Sequence, residues 1–152
     1  MFEGIVRSFR RRAVRKQLTN LRKLTVGDIM TKYVITVKPD DDVIKAATKM
    51  IAEDISCLVV AVDDSPVGVL SERDFLKKVP LSPKVFGMKV KEIMSPDVRI
   101  ASPKDTLQQA AQMMEEMDCG ILPVGEDDRL VGMVSDRDIA IRAVARGKAP
   151  DR

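Results

Sequence analysis

Val131-Gly132-Met133-Val134-Ser135-Asp136-Arg137-Asp138-Ile139 occurs twice in this chain, the earlier copy being Val67-Gly68-Val69-Leu70-Ser71-Glu72-Arg73-Asp74-Phe75. Each copy reads as a short apolar strand that turns into a helix at a serine and places an aspartate three residues later. A helix start offers unpaired backbone N–H groups and the positive end of a dipole, which suits an anion. A serine beside an aspartate can also hydrogen-bond the hydroxyls of a sugar. A second reading is open for both pairs: a serine followed three residues on by an acid resembles a capping box. Capping and ligand binding can coexist.

Working outward from the first copy, the chain before it reads as an ordered series. Val26-Gly27-Asp28-Ile29-Met30 is a helical turn and Val34–Val37 a brief strand. Lys38-Pro39-Asp40-Asp41 is a break with N-cap chemistry. Val43, Ile44, Ala46, Ala47, Met50 and Ile51 then mark one face of a helix. Cys57–Val62 is a continuous apolar run fit for a buried strand, and Asp63-Asp64-Ser65 a turn. Pro66–Leu70 is the next strand, and Ser71 opens a helix through about Val79. Pro80, Pro83 and Gly87 mark a linker over 80–89.

The series then repeats at one offset, 64 residues, taken as Met94 minus Met30. Val26, Ile29 and Met30 return as Val90, Ile93 and Met94; Ala46, Ala47 and Met50 return as Ala110, Ala111 and Met114. Asp63-Asp64 returns as Asp127-Asp128, and the register needs no gap. An offset held through helix, strand and turn marks an internal duplication. The organisation is then a basic arm over 1–23, repeats over 24–79 and 90–146, the linker 80–89 and a tail over 147–152. A unit of about 50 residues buries a core poorly alone. The two repeats should therefore pack sheet to sheet with pseudo-two-fold symmetry, leaving two clefts between related corners.

Composition narrows the chemistry. Apolar residues make up 45% of the 152, aromatics 3%, and tryptophan and histidine are absent. Without histidine, and with no Cys-x-x-Cys, a Cys/His zinc site is not expected, nor is His-based acid–base catalysis or a nucleophile elbow. The chain reads as a non-enzyme. Met30 and Met94 read as core packing rather than soft metal ligands. Cys57 and Cys119 read as small buried hydrophobes, a disulfide being disfavoured in a cytosolic protein.

Residues 1–23 carry eight Arg or Lys against one Glu, or +7; the chain's net charge of +3 leaves −4 for the remainder. Phe2, Ile5, Val6, Phe9, Ala13, Leu18 and Leu21 recur at roughly helical spacing, opposite Arg10-Arg11-Arg12 and Arg15-Lys16. Such a helix can pack on its own domain or a dimer partner. It can dock on another protein or an anionic membrane surface. It can touch nucleic acid, although no aromatic is interleaved with the arginines for stacking. Arg7 and Arg10–Arg12 interrupt the segment where a signal peptide needs an apolar run, which points to the cytoplasm.

The order Val-x-x-Ile-Met, Pro-containing turn, Ala-rich helix, apolar strand and Gly-x-x-Ser-x-Arg-Asp, found twice, resembles the CBS (cystathionine β-synthase) domain. Two in tandem form a CBS pair, or Bateman module, and the resemblance covers residues 24 to about 146. It implies an α+β fold in which each repeat is β-α-β-β-α. It also implies a disc-shaped homodimer and adenosyl ligands (AMP, ADP, ATP or S-adenosylmethionine) bound between repeats. Such a module is an energy or metabolite sensor acting on an enzyme or transporter, here on a separate chain. The resemblance makes Ser71 with Asp74, and Ser135 with Asp138, the ribose-binding pairs. It gives Ile35, Ile55 and Cys57 to the cleft served by Asp138, and Arg99, Cys119 and Ile121 to the one served by Asp74. Arg73 and Arg137 are open between a phosphate contact and a surface ion pair. The alternative function is a dimeric scaffold that docks a partner or nucleic acid through the arginine-rich helix. With an Asp at each corner, any phosphate is expected away from Asp74 and Asp138, towards the helix N–H groups or an arginine.

Overall fold

The computed structural model describes residues 3–5, 7–8, 11–12, 22–96, 98–117, 120–143 and 145. The readings at Phe2, Val6, Phe9, Arg10, Ala13, Arg15, Lys16, Leu18, Leu21 and Cys119 lie outside them. The described residues at 3–5, 7–8 and 11–12 are helical and exposed, Ile5 included.

The first repeat runs α1 (Val26–Ile29), β1 (Thr36–Val37), α2 (Val43–Glu53), β2 (Cys57–Val62), β3 (Ser65–Ser71) and α3 (Glu72–Lys78). A 3-10 turn at Pro83–Val85 lies in the connection. The second repeat runs α4 (Val90–Ile93), α5 (Leu107–Met117), β4 (Ile121–Glu126), β5 (Arg129–Ser135) and α6 (Asp136–Asp138), which passes into a π-helical turn at Ile139–Ala143. The fold is α+β. β1 pairs in parallel with β2, and β2 antiparallel with β3. β4 pairs antiparallel with β5, and the counterpart of β1 is reduced to a parallel bridge, Ala101 with Val124.

The duplication reaches fine detail. Both hairpins turn on two aspartates with positive φ, Asp63 and Asp64 in one and Asp127 and Asp128 in the other. Paired left-handed residues match the twist of the flanking strands, and Asp tolerates that conformation. Both hairpins also shift register at the same place, Val60/Ala61 and Val124/Gly125.

The repeats exchange their leading turns. Val26 and Ile29 of α1, with no exposed surface, sit in a core with Ala101, Ala110, Met114, Leu122 and Val134 of the second repeat. Val90 and Ile93 of α4 sit with Val37, Val43, Ala46, Leu58 and Leu70 of the first. Backbone bonds repeat the exchange: Val26 and Gly27 N–H donate to Asp105 and Pro103 O, while Val90 and Lys91 N–H donate to Asp41 and Pro39 O. A four-residue helix cannot sustain itself in water. Its conformation comes from docking, where each Val or Ile buried stabilises by roughly 1.5–3 kcal/mol.

After each short helix the chain crosses onto the other repeat's last strand. Thr31 pairs with Met133, and Ser95 with Val69. The motif glycines make room for this crossing. A Cβ on Gly132 would lie 2.6 Å from Met30 Sδ and 3.0 Å from Thr31 O; on Gly68 it would lie 2.8 Å from Met94 Sδ and 3.0 Å from Ser95 O. Met30 and Met94 are thus packing residues at the crossings.

Candidate functional site: two corners, two clefts

Each corner is built by a strand that ends on serine and a helix that starts at the next residue. Ser71 N–H donates to Asp74 Oδ2 at 2.9 Å, and Ser71 Oγ donates to the same oxygen at 3.2 Å. Ser135 N–H donates to Asp138 Oδ2 at 3.0 Å, and Asp138 N–H donates to Ser135 Oγ at 3.0 Å. These are capping boxes. The next N–H groups are also taken: Glu72 donates to Ser56 O, Asp136 to Gly120 O, and Arg137 N–H to Asp136 Oδ1.

Those bonds correct the expectation of helix N–H groups held open for an anion. The bonded donors are those of Ser71 and Glu72 at one corner and of Ser135, Asp136, Arg137 and Asp138 at the other, and the Asp74 carboxylate lines a cavity. Asp74 is 8% exposed, and such an acceptor suits hydroxyl donors.

Two residues that contact the corner aspartates were missed by reading the sequence. Lys78 Nζ lies 3.3 Å from Asp74 Oδ1 and donates to Ile93 O at 2.9 Å. Arg142 Nε lies 3.3 Å from Asp138 Oδ1, and its Nη1 donates to Ile29 O at 3.3 Å. Each cation joins the aspartate of one repeat to the last carbonyl of the short helix brought by the other. The signal was a cation four residues after each aspartate, at the common offset. It neutralises each corner, so the carboxylate's repulsion of a phosphate is much reduced.

The Asp74 corner opens into a cavity of about 1030 Å3, walled by Cys57, Ser71 and Asp74 of the first repeat and by Ser95, Val98 and Arg99 of the crossing segment. Arg99 lines this cavity. Its guanidinium pairs with Glu116, and its N–H donates to Met117 Sδ at 3.3 Å. Arg73 lines the same cavity.

Other lining assignments are redrawn by strand register. Cys57 pairs with Ser71, so its half-buried side chain lies in the Asp74 cleft and not the Asp138 cleft. Ile121 pairs with Ser135 and is 2% exposed, which makes it a core residue beside the other corner. Directly paired residues of antiparallel strands share a sheet face, so each of these residues goes with its own repeat's serine. Ile35 and Ile55 pack against the first repeat's core. Ile55 also lines a groove of about 680 Å3 between α2 and α3, and Arg137 lies in that groove beside Asp54 and Glu72. A phosphate contact by Arg137 therefore has no support from its placement. Among the described residues, no group of three or more His, Cys, Asp or Glu could hold a metal ion. No helix among them is long and apolar enough to cross a membrane.

The family model of the CBS domain matches the chain twice, over residues 26–81 and 90–144. The chain belongs to the CBS domain family. As a CBS pair it is 27% identical to the CBS domain-containing protein YhcV of Bacillus subtilis, over 82% of this chain and 89% of that one. It is 33% identical to a homoserine O-acetyltransferase of Methanohalobium evestigatum over 76% of this chain, which spans only 23% of that protein. Among solved structures it resembles the CBS domain pair of protein MJ0100 in complex with 5′-methylthioadenosine and S-adenosyl-L-methionine. That likeness has a TM-score of 0.68 at 26% identity, covering 76% of this chain and 96% of the other.

Proposed function

We propose that this CBS pair is a non-catalytic regulatory module that binds an adenine nucleotide or another adenosyl ligand between its repeats and senses energy state or a metabolite. One observation carries the reading: a Ser–Asp corner, buried and neutralised by its own cation, opens into a cavity whose far wall comes from the other repeat. A ligand there touches both repeats, so binding can favour one relative arrangement over another. The complex of protein MJ0100 with adenosyl compounds supports the ligand class. The target is an enzyme or transporter, and the compartment the cytoplasm.

Self-association as a homodimer accords with Ile51 and Leu76, which are 82% and 86% exposed on the α2–α3 face. The basic arm is the output element, since Arg7, Arg11 and Arg12 are exposed for a partner or a nucleic acid. Deleting residues 1–23 should abolish target docking and leave ligand affinity unchanged.

Calorimetric titration with AMP, ATP and S-adenosylmethionine tests the reading. Binding of at least one is expected, with loss in Asp74→Ala/Asp138→Ala protein that still unfolds cooperatively. No heat from any of the three, or a double variant that binds like wild type, overturns it.

A further inference from the structure

The N-terminal arm takes no part in the clefts or in the exchanged cores. Its described residues, at 3–5, 7–8 and 11–12, are helical and exposed, and neither hydrophobic core includes any of them. Gly4, Arg7, Ser8, Arg11 and Arg12 wall a shallow concavity of about 440 Å3. Among the described residues, no carboxylate pairs with these three guanidinium groups. Glu3 is the only acid in residues 1–23. Guanidinium groups left unpaired around small residues suit phosphate oxygens.

The sequence makes the other side of this helix apolar. At about 100° per residue, Phe2, Ile5, Val6, Phe9 and Ala13 fall within an arc of about 100°. Arg7, Arg11 and Arg15 centre on the opposite side, and Arg10 and Arg12 flank the arc. Lys16 falls back on the apolar line and ends it. Ile5, the member of the arc that the structure describes, is 52% exposed, so its own domain does not cover it.

Charge decides among the other occupants. A second copy packed arc to arc would bring Arg10 and Arg12 against like charges. A nucleic acid would satisfy the arginines but leave the apolar arc in water, and both phenylalanines lie in that arc, away from the arginine side. An anionic phospholipid surface satisfies both sides at once. The arc enters the boundary between headgroups and acyl chains, and the flanking cations reach the phosphates. Cations on both flanks and on the far side, with a single acid among them, match a continuous plane of negative charge. The rest of the chain, at −4 against +7 for the arm, is repelled by such a plane and leaves the arm as the contact.

We infer that the N-terminal arm is an amphipathic anchor that lays Phe2, Ile5 and Phe9 into an anionic phospholipid surface, with Arg7, Arg11 and Arg12 on the lipid phosphates. It rests on the output role proposed for the arm, names that arm's partner, and does not depend on what the clefts bind.

The test is sedimentation of the full chain with vesicles of phosphatidylcholine and phosphatidylglycerol, against vesicles of phosphatidylcholine alone. Binding to the anionic vesicles is expected to be about tenfold or more tighter, and to weaken as salt is raised. Arg7→Gln/Arg11→Gln/Arg12→Gln should remove that preference. Phe2→Ser/Ile5→Ser/Phe9→Ser should lose vesicle binding and keep the wild-type unfolding midpoint. The chain has no tryptophan, so Phe9→Trp supplies a single reporter. Its emission should shift to shorter wavelength with anionic vesicles and not with duplex DNA. Equal binding to the two kinds of vesicle overturns the inference. So does vesicle binding that survives the triple serine variant, an unshifted Phe9→Trp emission, or tighter binding to duplex DNA than to anionic vesicles at the same salt. No vesicle binding at all overturns it and leaves a protein as the arm's partner. Each of these results leaves adenosyl binding, read by calorimetry, standing.

Discussion

The two repeats meet along two seams that share a backbone plan and differ in charge. Where α4 docks on the first repeat, Lys89 Nζ lies 2.7 Å from Asp42 Oδ1 and Lys91 Nζ lies 2.8 Å from Asp40 Oδ1. Where α1 docks on the second repeat, the corresponding partners are Thr25 with Thr106 and Gly27 with Lys104. The same backbone bonds form in both. The exchange is therefore carried by buried Val and Ile and by main-chain groups, which do not depend on surface charge. Surface charge was free to diverge, and at the shared offset Lys77 and Arg99 of the Asp74 cavity correspond to Ile141 and Ile35. A duplicated scaffold held by its interior can specialise its two sites independently.

The strongest way to break this comparison is to hollow the shared part. Ile29→Ala and Ile93→Ala should each cost about 2–5 kcal/mol in urea unfolding. Loss of hydrogen-exchange protection should appear in the opposite repeat, over β4–β5 for Ile29 and β2–β3 for Ile93. Loss confined to the mutated repeat would contradict the exchange.

Gly68→Ala and Gly132→Ala come next, at about 1–3 kcal/mol, and should be nearly equal. In each the new methyl meets a backbone oxygen at 3.0 Å, Ser95 O in one and Thr31 O in the other. A Gly68→Ala variant as stable as wild type would show that the crossing strand is not closely packed.

Lys78→Met and Arg142→Met should each cost about 1 kcal/mol by removing a charged donor. Lys78→Met should cost more, because Asp74 is buried and Asp138 only half-buried. Equal unfolding midpoints for the two variants would remove that distinction.

The smallest effect separates the seams by pH. The hydrogen bond and charge of Lys91 hold the Asp40 carboxyl below its ordinary 3.8, and Asp42 holds the Lys89 ammonium above its ordinary 10.5. A lowered acid stabilises the fold above its unfolded value, and that contribution fades as pH falls through the folded one. A raised base stabilises below its unfolded value and loses that as pH rises through the folded one. The α4 seam should loosen below about pH 3.8 and above about pH 10.5, and the α1 seam should not respond through these groups. The thermal-midpoint gap between wild type and Asp40→Asn/Asp42→Asn should be small at neutral pH and close at both extremes.

Much of the fold was legible in the sequence because the duplication repeats apolar positions, turns and caps at one offset. The exchange of α1 and α4 was not. The order of elements along the chain is the same whether a leading turn packs on its own repeat or the other, and four residues are too few to show a packing face. The Ser–Asp corners were legible from local spacing, but the use of their N–H groups depended on Ser56 and Gly120, which come from the neighbouring strand's approach. The serine that Cys57 and Ile121 accompany is a matter of antiparallel register, which an unbroken apolar run such as Cys57–Val62 does not encode. Lys78 and Arg142 were readable as repeated cations, but their second partner, the carbonyl of Ile93 or Ile29, exists only once the turns are exchanged.

Hydrogen exchange of the wild-type protein with and without saturating ATP tests most directly that each site is shared by both repeats. Slower exchange is expected in two stretches far apart in sequence, Ser71–Lys78 and Ser95–Arg99. Slowing in only one of them, or in neither, would contradict a ligand held between the repeats at Asp74.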